Sequence, residues 1–141
     1  MKFLLSACIA VIMASTGIAG EGWLTDYEKA LAQAKNEDKK LLMDFTGSDW
    51  CGWCIRLDKE VFSKDEFKKY AAENLVLLEV DFPNKKKQSA EQKKANDALA
   101  KKYGIRGFPT IIVLDGKEKK LGQLGYMEGG PKAFINALKK L

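Results

Sequence analysis

At 141 residues the chain is long enough for one domain with a substantial core and short for two. Its 46% hydrophobic and 30% charged content excludes a chain disordered throughout. The net charge of +5 comes from lysines spread in doublets among acids, with one triplet at 85–87. That pattern reads as solvated surface and argues against a nucleic-acid partner.

Lys2 precedes an uncharged, largely apolar segment, Phe3 to Ala19, which closes on the small-residue triplet Gly17-Ile18-Ala19. This predicts an export signal over residues 1–19, cut after Ala19, and a single mature domain over 20–141. A retained anchor is the alternative, because spanning a bilayer takes about 17 to 25 such residues. Cys8 reads as an inert part of the signal. Removing 1–19 takes away Lys2, the one charged residue there, so the net charge falls from +5 to +4. Cys51 and Cys54 are then the remaining cysteines. Exported domains that use cystines for stability carry several pairs at longer spacing, so one short-range pair points to redox chemistry.

Beyond the signal, a capping-box pattern at Thr25 to Glu28 and the spacing of Tyr27, Ala30, Leu31 and Ala34 predict a helix over Asp26–Lys35. Leu41–Phe45 suits a buried strand, and Thr46–Trp50 forms a loop. A helix follows from Cys51 to about Glu60, with Ile55, Leu57 and Val61 turned inward. Ser63 to Glu66 spells a second capping box, opening a helix that runs to Glu73. Leu75–Phe82 is the most strand-like stretch and ends at Pro83-Asn84. Ser89 to Gln92 opens a further helix, with Ala95, Leu99 and Tyr103 on one face and Gly104 as its stop. Ile111–Leu114 is a strand, Asp115-Gly116 a two-residue hairpin turn, and Lys119–Leu124 the returning edge strand. Gly130-Pro131 starts a last helix carrying Phe134, Ala137, Leu138 and Leu141. Alternation of this kind predicts an α/β sheet with helices on both faces.

Two thiols two residues apart can close on each other, attack a disulfide elsewhere, or hold a metal. A structural zinc site needs four ligands, and this chain has no histidine and no third mature cysteine. Two thiolates are still enough for a soft ion such as Cu(I), which leaves a metallochaperone module open. For redox work the first cysteine must be a reachable thiolate. A helix N-terminus supplies roughly 0.3 to 2 kcal/mol towards that, about one pKa unit at most. The Trp53 and Cys54 amides are expected on the Cys51 sulfur, with Cys54, one turn further in, as the shielded resolving thiol. No cofactor is needed for this exchange.

Asp44-Phe45, then Trp50-Cys51-Gly52-Trp53-Cys54, then Lys102 to Thr110 with Gly107-Phe108-Pro109-Thr110, resemble the three landmarks of the thioredoxin superfamily in order and separation. The phrase GSDWCGWC is similar to exported bacterial thioredoxin-like proteins of the type of the disulfide reductase DsbH and the C-terminal domain of DsbD. The resemblance implies a thioredoxin fold with a central mixed sheet of about four strands. It implies Cys51 as nucleophile, Cys54 as resolving thiol and Pro109 as a cis-proline facing the disulfide. Sequence alone does not give the last, since about 5 to 6% of X-Pro bonds in folded proteins are cis. Trp50, Gly52, Trp53, Phe108 and Thr110 are the positions implied to contact substrate, Phe108 through its backbone. Asp44 stands where the family carries a buried proton-transfer acid, and a surface acid at a strand end is the plainer reading. The implied setting is the periplasm, with exported disulfide-bearing proteins as clients, a membrane thiol relay as electron donor, and a monomeric protein.

The chain also departs from the family. Its Asp44–Cys51 loop is one residue longer, Trp53 replaces a proline, and residues Asn84 to Lys102 extend the connector. Glu79 occupies the position of a usual lysine; facing the site it is a second proton-transfer acid, and facing away a surface residue. Gly52-Trp53 offers no group that stabilises a thiolate, and two nearby acids oppose one. Both features favour a reductant or reduced-state carrier over an oxidase; they leave an isomerase open, although the chain shows no evident dimerisation segment.

Overall fold

The computed structural model describes Gly20 and residues 22–141. The expected signal segment 1–19, with Cys8, lies outside the described residues. Five strands form one mixed sheet in the order β1-β3-β2-β4-β5: β1 (Trp23–Leu24), β2 (Lys40–Thr46), β3 (Leu75–Asp81), β4 (Thr110–Leu114) and β5 (Lys120–Leu124). β1, β3 and β2 run parallel, while β4 is antiparallel to both β2 and β5. The strand beyond the expected four is β1, whose two residues are too few for any periodicity to show.

The helices are α1 (Tyr27–Glu37), α2 (Gly52–Leu57), α3 (Asp65–Asn74), α4 (Ala90–Lys102) and α5 (Gly130–Lys139). They cover both faces, as the alternation of elements predicts. On one face Leu42, Leu75, Leu77, Ile111 and Val113 pack against Leu57, Phe67, Ala71, Phe134 and Leu138, carried by α2, α3 and α5. On the other, Leu41, Met43, Phe45, Val76, Leu78, Val80, Ile112 and Leu114 pack against Ala30 and Ala34 of α1 and Leu99 of α4. The central strands are therefore apolar on nearly every residue, as strands covered on both sides must be. The few polar exceptions along them carry the chemistry.

Local chemistry explains where the elements begin and end. Asp26 caps α1 by accepting from the Lys29 amide, and Ser89 caps α4 through the Gln92 amide. Ser63 does not cap α3 as expected. Its amide donates to the Asp58 carbonyl (2.8 Å), closing a π-helical turn, Asp58–Phe62, that extends α2, and its hydroxyl adds bonds to the Asp58 and Lys59 carbonyls. Helix α3 starts after Lys64 with no side-chain cap. Ile55 points out to solvent rather than inward, while Leu57 and Val61 are buried. On α4 the inward position falls to Asn96, one residue past the expected Ala95, because its amide donates to the Asp81 carbonyl (2.9 Å).

The hairpin between β4 and β5 is longer than a two-residue turn. The Asp115 amide donates to the Lys119 carbonyl (2.9 Å), and the Asp115 carboxylate accepts from the Lys117 and Lys119 amides. Glu118 takes the left-handed conformation at φ 67°, the geometry of a three-residue loop with a terminal left-handed position. Its carboxylate also receives the Tyr27 hydroxyl and the Lys102 ammonium, joining the hairpin to α1 and α4.

Candidate functional site

The chain leaves the carboxyl end of β2 at Thr46, the side of a mostly parallel sheet where ligand sites collect. It crosses a short loop and enters α2 at Cys51. Cys51 is the N-cap of that helix, in extended conformation, and is joined to Cys54 by a disulfide. The Cys54 amide donates to the Cys51 sulfur (3.3 Å); of the two expected amides it alone does so. The two cysteines are covered almost equally, 7% exposed at Cys51 and 5% at Cys54. Between them, Gly52 is exposed, with open space where a Cβ would stand.

Beneath the disulfide-bearing helix lies a run of acids set by strand parity. Asp44 shares its sheet face with Leu42, and Glu79 shares that same face with Leu77. In the β2–β3 ladder Asp44 stands opposite Glu79, and Thr46 opposite Asp81. Asp44 is buried, and its Oδ1 accepts no hydrogen bond within the protein. Burial first, then the negative charges of Glu79, Asp58 and Asp81, hold its carboxyl well above the usual carboxylate range. Glu79 is half-buried and also raised, by burial and then by Asp81, with Lys86 pulling the other way. The charge of Glu79 is one of those that raise the Asp44 carboxyl. The face of Glu79, open from sequence, is thus the face of Asp44.

The loop before Cys51 is fixed at each residue. Ser48 donates to Asp81 through both amide (2.9 Å) and hydroxyl (2.5 Å). The Asp49 carboxylate accepts the amides of Asn84, Lys85 and Lys86 at 2.7 to 2.9 Å. Those bonds hold the Asp49 carboxyl below its usual range. Trp50 donates from Nε1 to the Phe82 carbonyl (2.7 Å) and lays its ring over Gly47, where a Cβ would fall within the indole. A glycine at 47 is therefore a requirement of Trp50's position.

Trp50 also meets the Phe108 ring edge-on, centroids 5.8 Å apart, and Phe108 meets Phe82 at 5.3 Å. These contacts bring the loop between α4 and β4 against the cysteine loop. The Phe108–Pro109 peptide bond is cis. Thr110 is buried and donates from its hydroxyl to the Gly107 carbonyl (2.7 Å), bracing the turn that holds Pro109.

On the other side Trp53 is exposed over more than half its surface, 54%, and packs on the half-buried Tyr126 (4.9 Å). Arg56 lies against both rings and pairs with Glu60 (2.6 Å), which also accepts the Tyr126 hydroxyl. Among the described residues, Trp50, Trp53 and Ile55 are the large exposed apolar residues, and all flank the cysteine pair.

Sequence reasoning missed Gly47, Ser48, Asp49, Asp58, Asp81 and Tyr126. Asp81 carried a signal, since it lies two residues beyond Glu79 on a period-two strand. Asp58 acts by its charge on Asp44, and the others act through partners more than thirty residues away or through side-chain packing; none of these carries a signal. Among the described residues no group of three or more His, Cys, Asp or Glu side chains is placed to hold a metal.

The thioredoxin-like domain family matches residues 27–141. The disulfide bond reductase DsbH of Chlamydia pneumoniae is 38% identical over 113 residues, covering 80% of this chain and 68% of that protein. The thiol:disulfide interchange protein DsbD of Actinobacillus pleuropneumoniae is 32% identical over 109 residues, which cover 75% of this chain and 17% of DsbD. A solved structure of a DsbH oxidoreductase superposes with a TM-score of 0.79 at 33% identity, covering 99% of this chain and 93% of that one. With the family match reaching from the first helix to the last residue, the chain belongs to the thioredoxin-like domain family.

Proposed function

We propose that this protein is an exported thiol–disulfide oxidoreductase that reduces disulfides in periplasmic client proteins. The observation that carries the reading is the Cys51–Cys54 disulfide at the start of α2, on the sheet face that also buries the Asp44 carboxyl. Its similarity to DsbH and DsbD supports the same redox role.

In the reduced protein the Cys51 thiolate attacks a client disulfide and releases one client thiolate, forming a mixed disulfide. In the ionised fraction of Asp44 the carboxylate takes the Cys54 proton, and the resulting thiolate attacks the Cys51 sulfur. The second client thiolate leaves and the Cys51–Cys54 disulfide closes. The oxidised form then holds the proton on Asp44, the state favoured by its burial and neighbours. Glu79, on the same face, exchanges protons with it. Pro109, with Phe108 and Thr110 beside it, faces the client, while Trp50, Gly52 and Trp53 form the contact surface around the disulfide. A membrane thiol relay restores the dithiol, and the export signal over residues 1–19 is removed to leave a chain beginning at Gly20.

Direction follows from what stabilises the reduced pair. Nothing in Gly52-Trp53 carries positive charge, and the acids below disfavour a thiolate, so the dithiol is a good electron donor. Equilibrium titration against glutathione or dithiothreitol measures this. A potential of roughly −230 to −270 mV is expected, and one near −120 mV marks an oxidase instead.

A further inference from the structure

The connector between β3 and α4 is long, yet it is tied down. Asp49 accepts three successive amides from it, at Asn84, Lys85 and Lys86. Lys86 turns its ammonium back to the Ser48 hydroxyl (3.2 Å), and Gln88 donates to the Asp81 carbonyl (3.0 Å). Ser48 and Asp49 stand three and two residues before Cys51, so these bonds hold the lysine triplet against the cysteine loop.

The three lysines differ in what they do. Lys86 is engaged with the loop and faces Glu79 and Asp49. Lys85 and Lys87 are exposed, and among the described residues neither ammonium has a hydrogen-bond or ion-pair partner. Arg106 is exposed on the neighbouring loop, two residues before Phe108, whose ring touches both Trp50 and Phe82. Free cations therefore sit on both segments that pack around the 43%-exposed Trp50. The Asp49 carboxylate, bonded to the connector, is occupied by backbone amides.

We propose that Lys85, Lys87 and Arg106 form a docking surface for acidic client polypeptides, drawing segments with Asp or Glu beside a cystine across Trp50 to Cys51. The proposal rests on the reading of Cys51–Cys54 as the exchanging pair. An acidic polypeptide fits better than a lipid surface because the cations lie on the two segments that pack against an exposed indole next to the cysteine pair, a combination suited to a chain with both charge and apolar contacts. Cations at the rim of a site act mainly on encounter rate and are screened by salt.

The test uses the full, reduced protein and three peptide disulfides with the same core, flanked by aspartates, serines or lysines. At low ionic strength the aspartate peptide is expected to be reduced about tenfold faster than the lysine peptide, with the ratio approaching one at about 0.5 M salt. In Lys85→Ser/Lys87→Ser, which keeps the backbone amides on Asp49, that ratio is expected to fall to about threefold or less. Reduction of the serine peptide with a wild-type ratio near one overturns the docking surface and leaves the redox reading standing. An undiminished ratio in the double variant also overturns it. Failure to reduce any of the three peptides overturns both readings. Binding of phosphatidylglycerol vesicles without discrimination among the peptides assigns the cations to lipid and overturns the proposal.

Discussion

Asp44 is buried at the end of β2, opposite Glu79 in the β2–β3 ladder, and among the charges of Glu79, Asp58 and Asp81. The consequence for stability has a definite sign. Above the ordinary carboxylate range the unfolded chain releases this proton, while folded Asp44 keeps it. Its contribution is therefore fully present below the unfolded pKa and is lost as pH rises towards the folded one. Asp44→Asn removes that loss. Urea unfolding at pH 8 should show the variant more stable by about 1 kcal/mol or more, with the difference closing near pH 4. A variant less stable at pH 8 than at pH 4, relative to wild type, contradicts the assignment of a buried neutral acid.

Among the elements, long periodic segments were readable and short or mutually stapled ones were not. The helix faces of α1 and α5 follow their apolar spacing. β1 has too few residues to show a period, and Ser63 had two possible uses of which the local sequence displays one. Its amide closes the π-turn on the Asp58 carbonyl and its hydroxyl bonds the Asp58 and Lys59 carbonyls, whereas a cap for α3 would have used that same hydroxyl. The cysteine loop is the strongest case of hidden dependence. Nothing in the string Thr46-Gly47-Ser48-Asp49-Trp50 announces that the indole folds back over Gly47 while its ring nitrogen reaches Phe82. Gly47→Ala should therefore displace Trp50 and lower stability by about 1 to 3 kcal/mol, the range for overpacking a fitted site. A changed tryptophan fluorescence maximum alongside a lower urea midpoint is the expected result. Wild-type values of both would show that the ring does not depend on the glycine.

At the scale of the whole molecule, a sheet covered on both faces leaves its carboxyl-end loops as the place where polar chemistry can stand. Three segments distant in sequence meet there: the cysteine loop, the β3–α4 connector and the cis-proline loop. The aromatic chain Trp50–Phe108–Phe82 and the carboxylates of Asp49 and Asp81 hold them together. The family resemblance brought the cysteines and Pro109 into view because their spacing is local. The clasp between loops was not legible, because it rests on single polar residues with no periodic or motif signature. On the proposed function, this clasp presents Cys51 and Cys54 as a working redox pair. Insulin reduction driven by dithiothreitol tests it most directly. The wild-type protein is expected to shorten the onset of insulin precipitation well below that of dithiothreitol alone, and Cys51→Ser to return it to the uncatalysed value. Equal acceleration by wild type and Cys51→Ser would contradict the account.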